Sequence, residues 1–241
     1  MRLMLPIKPN YQSEYRLLRR AIMVLVPINI LLLFVGILQY PPVLGAGGLK
    51  GMIAAALIVL VYGWLALFSP IAIGRANTKV IRNGILFGLL SSIILSGDLI
   101  SGYLIHDGNT SARTSLIAYG LFFILIIASA VRGFRQTGKF TSGLAAAVWC
   151  VLVALLIWFC VEFVAYYIFA STPSGMAFIQ DEMQLDFTRS GATDYQAFVI
   201  SDFYGAGFFH LLLGLIIALI LGSIGAGIGR LSRINIKSPA A

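Results

Sequence analysis

Six long apolar runs divide this chain, and its charges fall almost entirely in the gaps between them. The runs cover residues 21–39, 51–73, 84–105, 115–131, 143–170 and 203–229. A helix needs roughly 20 apolar residues to cross a hydrocarbon core of ~30 Å, so each run is long enough to span a membrane. Only 11% of the 241 residues are charged and 59% are hydrophobic, whereas soluble domains are roughly one quarter charged. Helices and closed barrels alone satisfy the backbone in lipid, and barrel strands would be shorter and would alternate. The expected fold is all-α: a polytopic membrane helix bundle of six transmembrane helices, forming one membrane domain over residues 1–241. The first run is as long as a full span and lacks a small-residue cleavage site, so it reads as a span and not a removable leader.

The basic residues gather in every second gap. One set of gaps holds 14 of the 17 Lys and Arg residues; the other holds only Lys50, Arg113 and Arg189. Cytoplasmic loops carry the excess of Lys and Arg, which predicts both termini inside and a plasma membrane of the bacterial inner-membrane type. The net charge of +8 is then the sum of cytoplasmic rims. No basic patch interleaved with aromatics accompanies it, so nucleic acid is not an expected partner; the lipid bilayer is.

The gaps differ in length. Ahead of the first span, Tyr11, Tyr15 and Leu18 fall at helical spacing with Arg16, Arg19 and Arg20 on other faces, the pattern of a short interfacial helix or of a plain basic flank. The outer connection Ser171–Ser201 is too long for a simple linker. Met176, Ile179, Met183 and Phe187 form an apolar stripe in it, with Asp181, Glu182 and Asp186 between them. This predicts one amphipathic helix, serving as a lid over an outer cavity or as a docking surface.

Ionisable residues within spans are costly and mark function or internal pairing. Three occur: Asp98, Glu162 and His210. With the orientation above, each lies roughly 10–12 Å below the outer end of its span at 1.5 Å per residue. Ser91 and Gly102 share a helical face with Asp98; Trp158 and Tyr166 share one with Glu162; Gly207 and Gly214 share one with His210. The expected site is therefore an outward-facing polar cavity formed by Asp98, Glu162, His210, Ser91 and Tyr166, suited to proton or cation coupling. The competing reading is structural, with the same groups bonded to neighbouring helices. Two histidines, His106 and His210, do not make a haem pair, because His106 is too superficial. No spacing motif supports a metal, so no cofactor is expected. Cys150 and Cys160 lie about 280° apart around one helix and cannot pair with each other. Walker, HExxH, Gly-x-Ser-Gly and paired-Cys motifs are missing, which argues against an enzyme. Gly84-x-x-x-Gly88, Gly225-x-x-x-Gly229 and Gly222 with Ala226 permit close helix crossings, within the bundle, in self-association or against other membrane subunits.

The plan is similar to that of the membrane domains of ABC-2 type transporters. Those combine an amphipathic N-terminal helix, six spans with both ends inside, and a membrane-dipping segment between spans five and six. Tyr11–Arg20 and Ser171–Ser201 occupy these places. The loop from Arg75 to Asn83 is shorter than that family's coupling helix, a departure where an ATPase would dock. The plan is also similar to the six-span substrate-binding subunits of energy-coupling-factor vitamin transporters. Both resemblances are topological, cover most of the chain, and imply a transport component handling a small solute or ion from the outer side. The alternative is a non-catalytic accessory subunit of a larger membrane complex.

Overall fold

A computed structural model describes residues 11–45, 47–72 and 78–236. Among these residues there is no strand. The elements are α1 (Tyr11–Gln39), a 3₁₀ turn (Pro41–Leu44), α2 (Gly48–Ala72), α3 (Thr78–Leu104), α4 (Gly108–Thr137), α5 (Phe140–Phe169), α6 (Pro173–Ser190) and α7 (Tyr195–Ile236). All but α6 are long and apolar enough to cross a membrane, six spans in total. The chain is thus a multi-pass helical membrane protein. Its outer surface agrees with this: Leu38, Leu116 and Ile93 are 78%, 76% and 69% exposed, side chains that lipid and not water would cover.

The helices begin and end close to the expected boundaries, with two differences. The N-terminal segment is not a separate helix. Backbone helicity runs unbroken from Tyr11 into the first span, while the faces of Tyr11, Tyr15 and Leu18 lie outside the described residues, as do Arg2, Lys8, Arg75 and Lys237. Likewise α7 begins at Tyr195 and not at 203. Asp194 caps it: the Ala197 N–H donates to Asp194 Oδ1 at 3.0 Å, satisfying one of the free donors of the first turn. The polar residues from 194 to 202 interrupt the apolar run but not the helix.

α5 is the hub. Of its span, 72% is buried, against 22% to 39% for the other five. It is apolar all around, which is the signature of a helix enclosed by others, and it touches α1, α2, α3, α4 and α7. The end of the bundle bearing Arg82, Arg132, Arg135 and Arg230 (the basic end) is closed by small residues. A Cβ at Gly84 would come 2.5 Å from Trp149 Cβ; at Gly225, 2.6 Å from the Ile127 carbonyl; at Gly222, 2.8 Å from Ala147 Cβ; at Gly143, 2.8 Å from Ala226 Cβ. The glycine pairs are therefore spent on contacts inside the bundle, where they let helix backbones meet. Polar side chains bond to carbonyls of neighbouring helices: Asn29 to Leu156, Tyr62 to Leu211, Asn83 to Ser129, and Ser129 to Ala146, at 2.6 to 3.1 Å. Each holds two helices together where water cannot compete. Both cysteines are free.

At the opposite end α6 lies over the bundle. Thr172 caps its start, accepting from the Gly175 N–H at 3.1 Å, and Pro173 sits at its first turn; Gly191 ends it with φ of +70°, a left-handed conformation that glycine adopts without strain. Phe178 packs against Tyr103 at 4.8 Å between ring centroids and lies over Gly102, where a Cβ would come within 2.8 Å of its ring. His106 Nε2 meets Asp181 Oδ2 at 2.6 Å. Phe187 packs against Tyr195 and Phe198. The predicted stripe is thus partly rotated. Ile179, Met183 and Phe187 face the bundle, Met176 is 49% exposed, and Phe178 takes its place, because Gly102 on α3 leaves room for that ring.

Candidate functional site

Beneath α6 is a cavity of about 440 Å³. α3 contributes Asp98, α4 Ser115 and Tyr119, α5 Trp158 and Glu162, and α7 Asp202 and His210; α6 adds Phe178, Glu182 and Asp186. Asp98, Glu162 and His210 therefore line one space. Their shared depth follows from the alternating direction of the helices, and their convergence from the faces on which α3, α5 and α7 meet.

The bonding of these groups differs. Asp98 Oδ2 accepts from the Ser115 hydroxyl at 2.8 Å, which ties α3 to α4 across the cavity wall. His210 Nδ1 lies 2.8 Å from the Ala206 carbonyl. A carbonyl only accepts, so Nδ1 carries the proton and Nε2 of the neutral ring is left as an acceptor. The imidazole stands edge-on to Trp158 at 5.3 Å. Glu162 is 5% exposed, and its Oε2 has no hydrogen-bond partner. A buried carboxylate oxygen left unsatisfied is costly, so it needs a ligand, an ion or a proton.

The described lining holds five carboxylates (Asp98, Glu162, Glu182, Asp186 and Asp202) and no Lys or Arg. Among the described residues only Asp186 of these has a cationic neighbour, Arg189 at 4.0 Å on the exposed face of α6; like charges gathered together raise each other's cost, and a bound cation relieves it. Among the described residues no group of three or more His, Cys, Asp or Glu side chains is arranged to hold a metal ion. The cavity walls also include aromatic rings, so the chemistry on offer is attraction of a positive charge beside apolar and aromatic surface.

Two residues expected at the site lie elsewhere. Ser91 is fully buried against α5, its Oγ 3.8 Å from Cys150 Sγ. Being seven residues from Asp98, it sits two helical turns, roughly 10 Å, toward the basic end. Tyr166 packs on Phe203 at 4.9 Å and on Tyr167 at 5.6 Å, outside the cavity. A shared helical stripe put Ser91 on the right face but at the wrong height, and Tyr166 is taken up by Phe203, which itself lines the cavity. Conversely, Glu182 and Asp186, expected only as polar residues of the outer amphipathic helix, and Asp202, at the edge of the last span, belong to the cavity. Their spacing carried a usable signal: Asp202, Ala206 and His210 fall at i, i+4, i+8, as do Phe178, Glu182 and Asp186.

At the rim, the Tyr40 hydroxyl donates to Asp194 Oδ2 at 2.8 Å, joining the end of α1 to the start of α7. The Ala197 N–H, and then Tyr40, hold the Asp194 carboxyl below its ordinary value of 3.8. The same bond to Asp194, more than burial, pushes the Tyr40 phenol above 10.0.

The chain matches no protein-family model, and no curated protein or solved structure matches it significantly.

Proposed function

We propose that this protein is a membrane transport component that receives a small cationic solute from the α6 side, with that side facing outward by the distribution of its basic residues. One observation carries the reading: among the described residues, five carboxylates and no Lys or Arg line a cavity set among membrane spans. Asp98 and Asp186 have partners in Ser115 and Arg189, but a structural role would also pair the enclosed Glu162, whose Oε2 is buried without a partner. An accessory subunit would offer its glycine pairs to a partner; here Gly84, Gly88, Gly222, Gly225 and Gly229 are all packed within the bundle.

The test is thiol labelling of Ser115→Cys in full-length protein whose Cys150 and Cys160 are replaced by Ala, in intact cells. A membrane-impermeant cationic methanethiosulfonate added outside should react about tenfold faster than its anionic counterpart, because the acidic walls concentrate cations. In a transporter the same thiol also reacts, more slowly, from the inner face of inverted vesicles as the cavity changes sides. Equal rates for the two reagents, or no reaction from either face, would overturn the proposal.

A further inference from the structure

The acidic cavity does not end at its carboxylates. A second, apolar space of about 180 Å³ adjoins it toward the basic end, bounded by Phe122, Phe123, Leu155, Leu213 and Ile217. Leu95, Tyr119, Trp158 and His210 line both spaces. The two spaces thus adjoin across one aromatic and imidazole collar, with charge on the α6 side and hydrocarbon beyond. A bare inorganic ion would use the first and leave the second empty of partners. A ligand that fits both has a cationic head and an apolar tail.

We infer that the ligand is a lipophilic primary or secondary ammonium, its head at Glu162 and its tail in the apolar space beyond Trp158. This rests on the cation-receiving function proposed above and names its substrate class. Three features of the collar select this chemistry. Glu162 Oε2, buried and unpartnered, needs an N–H donor, which a quaternary ammonium lacks. His210 Nδ1 is taken up by the Ala206 carbonyl, which leaves Nε2 as the ring nitrogen free of that bond on a residue that lines both spaces. Trp158 and Tyr119 flank the passage with π-surface, which attracts a positive charge that has shed water. Asp202 and Asp98 supply further negative potential around the head, so the carboxylates no longer repel one another unscreened. The size is suitable: small-molecule sites run from roughly 300 to 1,000 Å³ and are mostly apolar with a few placed polar groups.

The experiment uses the full chain in nanodiscs and measures binding by isothermal calorimetry with three probes: phenylethylammonium, methylammonium and neutral phenylethanol. Phenylethylammonium should bind saturably, and each of the other two about tenfold more weakly or less, since one lacks the tail and the other the charge. Glu162→Gln should weaken phenylethylammonium about tenfold, as one lost charge-assisted contact implies. Leu213→Trp, which fills the apolar space, should bring phenylethylammonium down to the affinity of methylammonium. Should Glu162→Gln fail to yield monodisperse protein, Asp202→Asn at the exposed side of the cavity serves in its place. Equal binding of both ammonium probes, both lost in Glu162→Gln, would overturn the lipophilic class while leaving the small-cation function standing. Equal binding of phenylethanol and phenylethylammonium, insensitive to Glu162→Gln, would mean that the apolar space holds lipid or any neutral tail, and the inference fails. If neither ammonium binds but the thiol labelling still discriminates by charge, the substrate class alone is wrong; if both experiments fail, so does the function.

Discussion

The two ends of the bundle are built from the same helices yet pack in opposite ways. At the basic end, glycines and alanines bring backbones into contact: a Cβ at Gly84, Gly143, Gly222 or Gly225 would meet a neighbour at 2.5 to 2.8 Å. At the α6 end the glycines meet aromatic rings instead: an added Cβ at Gly102 would come 2.8 Å from the Phe178 ring, and one at Gly207 would run into the Phe159 ring. The difference shows how a helical membrane protein can hold a polar cavity at one end of a tightly packed bundle. Small residues supply van der Waals contact where hydrophobic collapse cannot act, so they close the bundle where they cluster. Where they give way to Phe, Tyr, Trp and acids, a cavity is left between the helices.

The comparison can be broken most directly at its glycines. Gly225→Leu should lower stability by about 1–3 kcal/mol, the cost of overpacking, and shift the protein toward aggregates in size exclusion. Gly97→Leu, facing open space, should stay within about 0.5 kcal/mol of the parent in the same detergent melt. Similar losses at both positions would mean that the two ends are packed alike. A smaller effect is expected at α6. Asp181→Asn removes the charge from the contact with His106, in which the Asp181 side chain is 64% exposed. Screening limits such a pair, so amide hydrogen exchange across residues 173–190 should rise only about two- to fivefold, while α5 stays unchanged. Uniform acceleration in both helices would show that α6 is not a separately held cover.

The smallest effect concerns the rim. Asp194 has its carboxyl lowered in the folded state, so the stability it contributes is full above its ordinary value of 3.8 and is lost as pH falls through the lowered one. Tyr40 behaves oppositely: raised above 10.0, it contributes below that value and loses its contribution as pH rises through the shifted one. The Tyr40–Asp194 clip is therefore intact across the neutral range. Asp194→Asn should flatten the acid limb of a melting-temperature-versus-pH curve. An acid limb identical to that of the parent would remove the clip from the stability of the α6 end.

Much of this was legible in the residues. The six spans, α6 as an amphipathic helix, and the common depth of Asp98, Glu162 and His210 all follow from hydropathy, periodicity and a fixed rise per residue, which are local properties of a helix. Tyr166 was misplaced because Phe203 takes up its ring, and Ser91 for the same reason in reverse. Helical spacing reports the face of a helix, and two turns along that face move a residue from the cavity to the packed core beside Cys150. Glycine pairs likewise announced close crossings without naming the partner; Gly84 and Gly88 meet α5, and Gly225 meets α4.

By itself, then, the sequence determined a membrane-spanning, all-helical chain with basic gaps sorted from acidic ones, since the bilayer imposes length and apolarity on every span independently of its neighbours. Only the tertiary structure decided that Glu182, Asp186 and Asp202 from two further helices would join Asp98 and Glu162 around one space, and that a second, apolar space would adjoin it at Trp158. Those are properties of the gaps between helices. They depend on which faces meet and how far apart side chains hold them, and no single helix carries that information.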